Sequence, residues 1–215
     1  MKYKAFIFDF DGVICDSVDV KTKAFATLYE AYGNDIRDKV VEYHLAHGGI
    51  SRFEKIKYYQ AELLGNPVTE EEIKILAEKF AGLAKEKVIQ SPFLPGAYAF
   101  ISENHKMLPQ FICTGTPEEE IYEIVERKKI AQLFKAVYGA PKKKTAIIKQ
   151  VLVETGLQPE DVLYFGDALT DYDAATECKM PFVGFQNEAT VFPVGTFVVK
   201  DFTDEALSGF ISGVV

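Results

Sequence analysis

Two carboxylates stand one residue apart in Asp9-Phe10-Asp11-Gly12, directly after an apolar run. Carboxylates this close repel one another unless a cation joins them or one keeps its proton. They suit a Mg²⁺ site in which one carboxylate is a nucleophile and the other an acid/base partner. The simpler alternative is a loop in which an aspartate caps a turn, and D-x-D-G alone would favour it. The context is richer, because an apolar run precedes the pair and Val13-Ile14-Cys15-Asp16-Ser17 follows it. Two other apolar runs also stop abruptly at polar residues, one at Thr114-Gly115 and one at Gly166-Asp167.

The elements that must position these groups can be read from periodicity. Residues 4–8 (KAFIF), 110–113 (QFIC) and 162–165 (VLYF) are short aromatic or β-branched runs, as buried parallel strands are. Helical patterns follow the second at 117–127 and precede the third at 145–155. The alternation predicts an α/β fold with a doubly wound, Rossmann-like parallel sheet. Ligands of such sheets sit beyond the carboxyl ends of the strands, which is where all three runs place their polar residues. Short strands at 181–185 and 196–199 and a last helix at 203–211 complete this part.

Residues from Ser17 to Val88 read differently. Four segments carry apolar residues at helical spacing with no strand between them. Gly33, Gly48-Gly49 and Gly65-Asn66-Pro67 punctuate them, and Ser51 and Thr69 are suited to cap the helices that follow. This is an all-helical insertion between the first and second strands, with Ser91-Pro92-Phe93-Leu94-Pro95-Gly96 as the hinge returning to the sheet.

Composition narrows the function classes. The chain has 215 residues, 48% of them hydrophobic, enough for a sizeable core and unlike a disordered or disulfide-framework protein. Thirty-two acids against 24 bases give a net charge of −8, which argues against a nucleic-acid surface. An anionic substrate must therefore be drawn by local cations. No apolar run reaches the ~18–20 residues that span a bilayer, and the N-terminal segment is not expected to be a signal peptide. Cys15, Cys113 and Cys178 are widely spaced and odd in number, fitting a reduced cytoplasmic compartment better than disulfides or zinc.

FDFDGVICDS resembles the first motif of the haloacid dehalogenase superfamily. Thr114-Gly115-Thr116-Pro117 resembles the second, Gly139-Ala140-Pro141-Lys142-Lys143-Lys144 the third, and Gly166-Asp167-Ala168-Leu169-Thr170-Asp171 the fourth, all in the family's order. The resemblance implies a core of residues 1–16 and 92–215 and a helical cap domain of residues 17–91. It makes Asp9 the nucleophile that becomes an aspartyl phosphate, and Asp11 the acid/base. Mg²⁺ would be held by the Asp9 and Asp167 side chains and the Asp11 carbonyl, with Asp171 a further ligand or a water-orienting group. Thr114 and the Gly115 N–H would hold a phosphoryl oxygen, and Gly12 would belong to the same phosphate-binding set. Lys144, rather than Lys142 or Lys143, would balance the charge on Asp9 and the phosphate.

Intact Asp9 and Asp11 depart from the dehalogenase and phosphonatase branches. The rival is a β-phosphoglucomutase-like phosphosugar mutase, whose cap carries a G-x-S-R element like Gly49-Ile50-Ser51-Arg52. Three positions depart from the mutase pattern. Lys21 stands where the mutase has a histidine, Gly166-Asp167-Ala168 replaces E-D-S, and Thr114-Gly115-Thr116 replaces S-x-S. The expectation is a Mg²⁺-dependent phosphatase for a small phosphorylated metabolite, acting as a monomer or homodimer.

Arg52 falls in the first turn of the helix that Ser51 caps, where a cation opposes the helix dipole. Two explanations stand open, a contact to a distal anion of the substrate or a salt bridge to an acid such as Glu54 or Glu62. His44, His47 and His105 lack metal-ligand spacing, and the cysteines, Phe53, Tyr58 and Tyr59 read as packing.

Overall fold

The computed structural model describes residues 2–213. Among the described residues six strands form one all-parallel sheet in the order β3-β2-β1-β4-β5-β6. They are β1 (Ala5–Phe8), β2 (Gln110–Pro117), β3 (Ala136–Ala140), β4 (Val162–Gly166), β5 (Phe182–Phe185) and β6 (Val198–Val199). Nine α-helices accompany them among the described residues. These are α1 (Val18–Tyr29), α2 (Asn34–Ala46), α3 (Arg52–Tyr58), α4 (Glu70–Gln90), α5 (Ala97–Asn104), α6 (Glu118–Arg127), α7 (Lys144–Thr155), α8 (Leu169–Glu177) and α9 (Glu205–Ser212).

Strand alternation sorts the core into two layers. Phe6, Phe8, Ile112, Leu163 and Phe165 point into one cluster. Their neighbours Ala5, Ile7, Phe111, Cys113, Val162 and Tyr164 point into the other. Successive strand residues face opposite sides of a sheet, so a strand covered on both faces must be apolar throughout. The order of the strands reverses between β1 and β4, which pair in register from Ala5↔Val162 to Phe8↔Phe165. The crevice beyond that reversal is where such a sheet takes its ligand.

The helical insertion packs around a third cluster built from Phe25, Tyr29, Ile56, Tyr59 and Phe80. Ser51 caps α3 by accepting from the Glu54 N–H. Thr69 and Glu72 close a reciprocal box at the start of α4, with contacts of 2.8 and 3.3 Å. Helix α6 of the core ties this insertion down. Glu123 accepts from Lys85, Glu86 pairs with Arg127, and Lys128 donates to the carbonyls of Ile89 and Ser91 at the end of α4.

Three elements differ from the sequence expectation. Strand β3 was not anticipated, because AVYGA is five residues long, ends in Gly-Ala and pairs on one side alone. Helix α5 was also missed. Strand β2 runs past Cys113 to Pro117, with its register against β3 shifting between those two residues, so Thr114–Thr116 extend the strand's end.

Candidate active site

Four of the loops that leave the sheet at its carboxyl edge deliver the motif residues to one place. Asp9 follows β1, Asp167 and Asp171 follow β4, Thr114 lies near the end of β2, and Lys144 opens α7 after β3. Asp9, Thr114, Lys144, Asp167 and Asp171 are all buried. Burying this many charged groups is costly unless they pair or bind ions.

The loop after β1 is tightly turned, with Ile14 and Cys15 N–H groups donating to the Phe10 carbonyl. Gly12 sits in the left-handed region at φ +78°, and a Cβ there would lie 2.2 Å from Asp167 Oδ2. Only glycine lets the β1 loop approach the β4 loop this closely. A close approach also explains Gly115, where a Cβ would come within 2.5 Å of the Gly49 carbonyl. The Gly48-Gly49 bend of the insertion thus rests on the strand end, and Thr170 Oγ1 donates to the Gly48 carbonyl at 2.8 Å.

Lys144 resolves the lysine run. Its Nζ lies 3.0 Å from Asp9 Oδ2 and 2.5 Å from Asp171 Oδ1, whereas Lys142 and Lys143 are exposed. Burial would lower the Lys144 ammonium, but the Asp171 and Asp9 carboxylates outweigh it and hold it well above its ordinary value. Asp171 has no exposure at all. Its Oδ1 also accepts from the Tyr164 hydroxyl at 2.8 Å, and its Oδ2 accepts from the Ala168 N–H at 3.2 Å. Asp9 Oδ1 accepts from the Phe10 N–H at 2.7 Å.

One oxygen each from Asp9, Asp167 and Asp171 lie within 4.8 Å of one another. Burial pushes the Asp9 carboxyl up to about 6 against the pull of Lys144, and the charges of Asp171 and Asp11 add to the rise. Burial, followed by the Asp9 and Asp171 charges, pushes Asp167 well above the carboxylate range. Lys144 alone therefore does not neutralise the cluster. An all-oxygen set with excess negative charge fits a small hard divalent cation. Asn187 Nδ2 steadies Asp167, donating to its carbonyl at 2.7 Å and to Oδ2 at 3.3 Å.

Asp11 sits in a separate network. Ser17 Oγ donates to Oδ1 at 2.6 Å, and Thr116 Oγ1 and Lys21 Nζ both donate to Oδ2. Burial alone would raise this carboxyl, but Lys21, Ser17 and Thr116 bring it below its usual value. The two aspartates of the first motif are thus pushed in opposite directions.

A cavity of about 740 Å³ lies above these groups. Asp9, Asp11, Thr114, Gly115 and Asp167 line its floor, and residues of α1 to α4 form its roof. Sequence reasoning did not find Tyr164, Asn187, Thr116 or Lys55 in this setting, and it saw Lys21 only as a departure from the mutase pattern. A tyrosine within an apolar strand and a lysine within an amphipathic helix carry no sequence signal of a site.

Arg52 also lines the cavity, but its guanidinium is engaged by neither acid that the sequence suggested. It makes a bidentate pair with Glu120 in the first turn of α6, at 2.8 and 2.5 Å, over the Phe80 ring. The partner lies in the core, 68 residues away, beyond the reach of local reasoning. Removing one member of a buried pair costs about 3–5 kcal/mol. Arg52→Ala should therefore lower the melting temperature and reduce activity toward large and minimal substrates alike. A KM effect confined to large substrates, with an unchanged melt, would return Arg52 to substrate binding.

Comparison with known proteins places these observations in a family. The haloacid dehalogenase-like hydrolases match residues 6–185. Among solved structures, β-phosphoglucomutase from Clostridium difficile superposes with TM-score 0.79 at 22% identity, covering 98% of this chain and 96% of its own. A haloacid dehalogenase-like hydrolase, SP0104 from Streptococcus pneumoniae, gives 0.74 at 18%, covering 97% and 99%. A predicted phosphoglycolate phosphatase from Haemophilus somnus gives 0.73 at 17%, covering 100% and 99%. Identities this low establish a common fold. The comparison with curated proteins gives no match. With the match spanning both the sheet and the helical insertion, the chain belongs to the haloacid dehalogenase-like hydrolase family.

Proposed function

We propose that the protein is a Mg²⁺-dependent phosphomonoester hydrolase that works through an aspartyl phosphate on Asp9. The observation that carries this reading is the convergence of Asp9, Asp167 and Lys144 from three separate strand ends, with Asp9 and Asp167 on the floor of one cavity and Lys144 Nζ 3.0 Å from Asp9 Oδ2. In the first half-reaction an Asp9 oxygen attacks phosphorus, and the bond from phosphorus to the leaving oxygen breaks. Asp11, ionised at rest by its Lys21, Ser17 and Thr116 contacts, takes a proton from solvent and passes it to that oxygen. In the second half-reaction Asp11 takes a proton from water as the water attacks phosphorus, and the bond to Asp9 breaks. Thr114 and the Gly115 N–H hold a phosphoryl oxygen, and Gly12 belongs to the same phosphate-binding set while letting the β1 loop close against Asp167. Lys144 balances charge on Asp9 and the transferring group, and Asp171 with Tyr164 positions Lys144. Lys21, bonded to both Asp11 and Thr116, fixes the acid/base in place.

Asp9, Asp167 and the Asp11 carbonyl are the groups that would hold Mg²⁺, which supplies neutralisation of the phosphoryl charge. Asp171 faces the same cluster, with its Oδ1 accepting from both Lys144 and Tyr164 and its Oδ2 from the Ala168 N–H. The decisive assay is phosphate release from a panel of phosphorylated metabolites with Mg²⁺ and with EDTA. Release that needs Mg²⁺ supports the hydrolase, and isomerised sugar phosphate without release would instead make it a phosphosugar mutase.

Metal binding carries its own pH signature. Asp9 is protonated below about 6, so a proton competes with the cation on the acid side. Mg²⁺ affinity should fall about tenfold per pH unit per displaced proton as pH drops below that value. Calorimetry in buffers of different ionisation enthalpy should show proton release. A Mg²⁺ affinity that does not change from pH 5 to 7 would mean that Asp9 stays ionised across this range or is not a ligand.

A further inference from the structure

Three cations and a histidine line the cavity: Lys21, Arg52, Lys55 and His44. Two of the cations are already matched, Lys21 by Asp11 and Arg52 by Glu120. Lys55 is not. It is 2% exposed, and among the described residues no carboxylate pairs with it. Its Nζ meets two neutral acceptors, His44 Nδ1 at 2.8 Å and the His44 carbonyl at 3.1 Å, beneath the Phe25 ring. An ammonium has three donors, so one is left without a protein partner.

Packing does not explain this lysine. Residue 55 lies on the buried face of α3 beside Ile56, where an apolar side chain would fill the space without burying a charge. The neighbouring groups do not relieve it either. To accept from Lys55, His44 Nδ1 must carry no proton, and burial holds the His44 pKa well below its usual value. Asp16, Asp19 and Glu188 also line the cavity but are exposed to water. Lys21 on α1, His44 on α2, and Asp11, Lys144 and Asp167 in the core are the charged or titratable groups that act on Lys55. Burial, with Lys21 adding, brings its amine down to about 7, so an arriving anion would favour its charged form.

We infer that Lys55 is a specificity residue that binds a second anionic group, a carboxylate or a phosphate, on the substrate's leaving portion. The inference rests on the phosphomonoesterase reading for what lies at the other end of the cavity. A charge-assisted contact from a desolvated ammonium distinguishes an acidic tail from a hydroxyl by about tenfold to a hundredfold.

The test compares substrates that differ in the tail alone. For the carboxylate arm these are 3-phosphoglycerate and glycerol 3-phosphate. For the phosphate arm they are fructose 1,6-bisphosphate and fructose 6-phosphate. The wild type should prefer the acidic member of at least one pair, and the arm that shows the preference identifies the anion. In Lys55→Met the ratio of kcat/KM for acidic over neutral substrate should fall tenfold or more. Lys55→Gln, which keeps a donor for His44 without the charge, should show the same fall and guards against misfolding of the methionine variant. Calorimetry with Asp9→Asn protein, with and without Lys55→Met, measures binding of the same compounds without turnover. A Lys55-dependent preference in binding, with no phosphate release by the wild type, would sink the hydrolase and keep this assignment. Phosphate release with no preference for either acidic tail, or equal losses on acidic and neutral substrates in both variants, would overturn it.

Discussion

Asp9→Asn should abolish turnover and leave the fold intact. Loss of a covalent nucleophile in a preorganised site costs on the order of 10⁴–10⁶ in rate. The substitution is nearly isosteric, and the amide oxygen can still accept from the Phe10 N–H or from Lys144, the two donors that hold Asp9 now. The stability effect has a definite sign. Because the folded pKa of Asp9 is raised to about 6, its ionised form opposes folding above that pH, and a neutral amide removes the opposition. Without Mg²⁺, the variant should melt no lower than the wild type at pH 7. It should also lose the beryllofluoride adduct and the stabilisation that Mg²⁺ gives. Phosphate release at the normal rate from Asp9→Asn would rule out the covalent mechanism.

The two aspartates of one short motif illustrate what a sequence can carry. Their spacing and the apolar run before them announced a strand ending in a charged loop, because a doubly covered strand leaves little choice of residue. The same logic reached Thr114 and Asp167. It reached Lys144 only through family spacing, since three consecutive lysines have equal chemistry until folding buries one of them. Strand β3 went unread although it carries the loop that delivers Lys144, because a five-residue edge strand has too little periodicity to stand out. The partner of Arg52, and Lys55 altogether, escaped sequence reasoning for another reason. Their meanings depend on partners 68 and 11 residues away, and no local pattern says which of two buried cations meets a carboxylate.

Lys144→Ala should cost far more than the same change at its neighbours, in stability as well as rate. Lys142 and Lys143 are exposed, and truncating a solvated lysine changes little. Lys144 is the counter-charge for Asp9 and Asp171, which are buried with it. Its loss leaves two desolvated carboxylates facing each other, a defect of about 3–5 kcal/mol. One of the two will take up a proton, so the variant's melting temperature should fall as pH rises from 5 to 8. The Lys144 pKa is raised in the folded state, so its stabilisation is complete below its unfolded pKa, which covers this whole range. The rate should drop a further 10²–10³-fold, about what a preorganised charge contributes at a transition state. Mg²⁺ should recover part of the lost stability, by supplying charge to Asp9, and little of the rate, because a cation that Asp9 and Asp167 would hold does not replace the Lys144 ammonium. Equal losses at all three lysines, or a melt insensitive to pH in Lys144→Ala, would mean that the run acts as a diffuse basic patch and that the buried ion pairs do not organise the site.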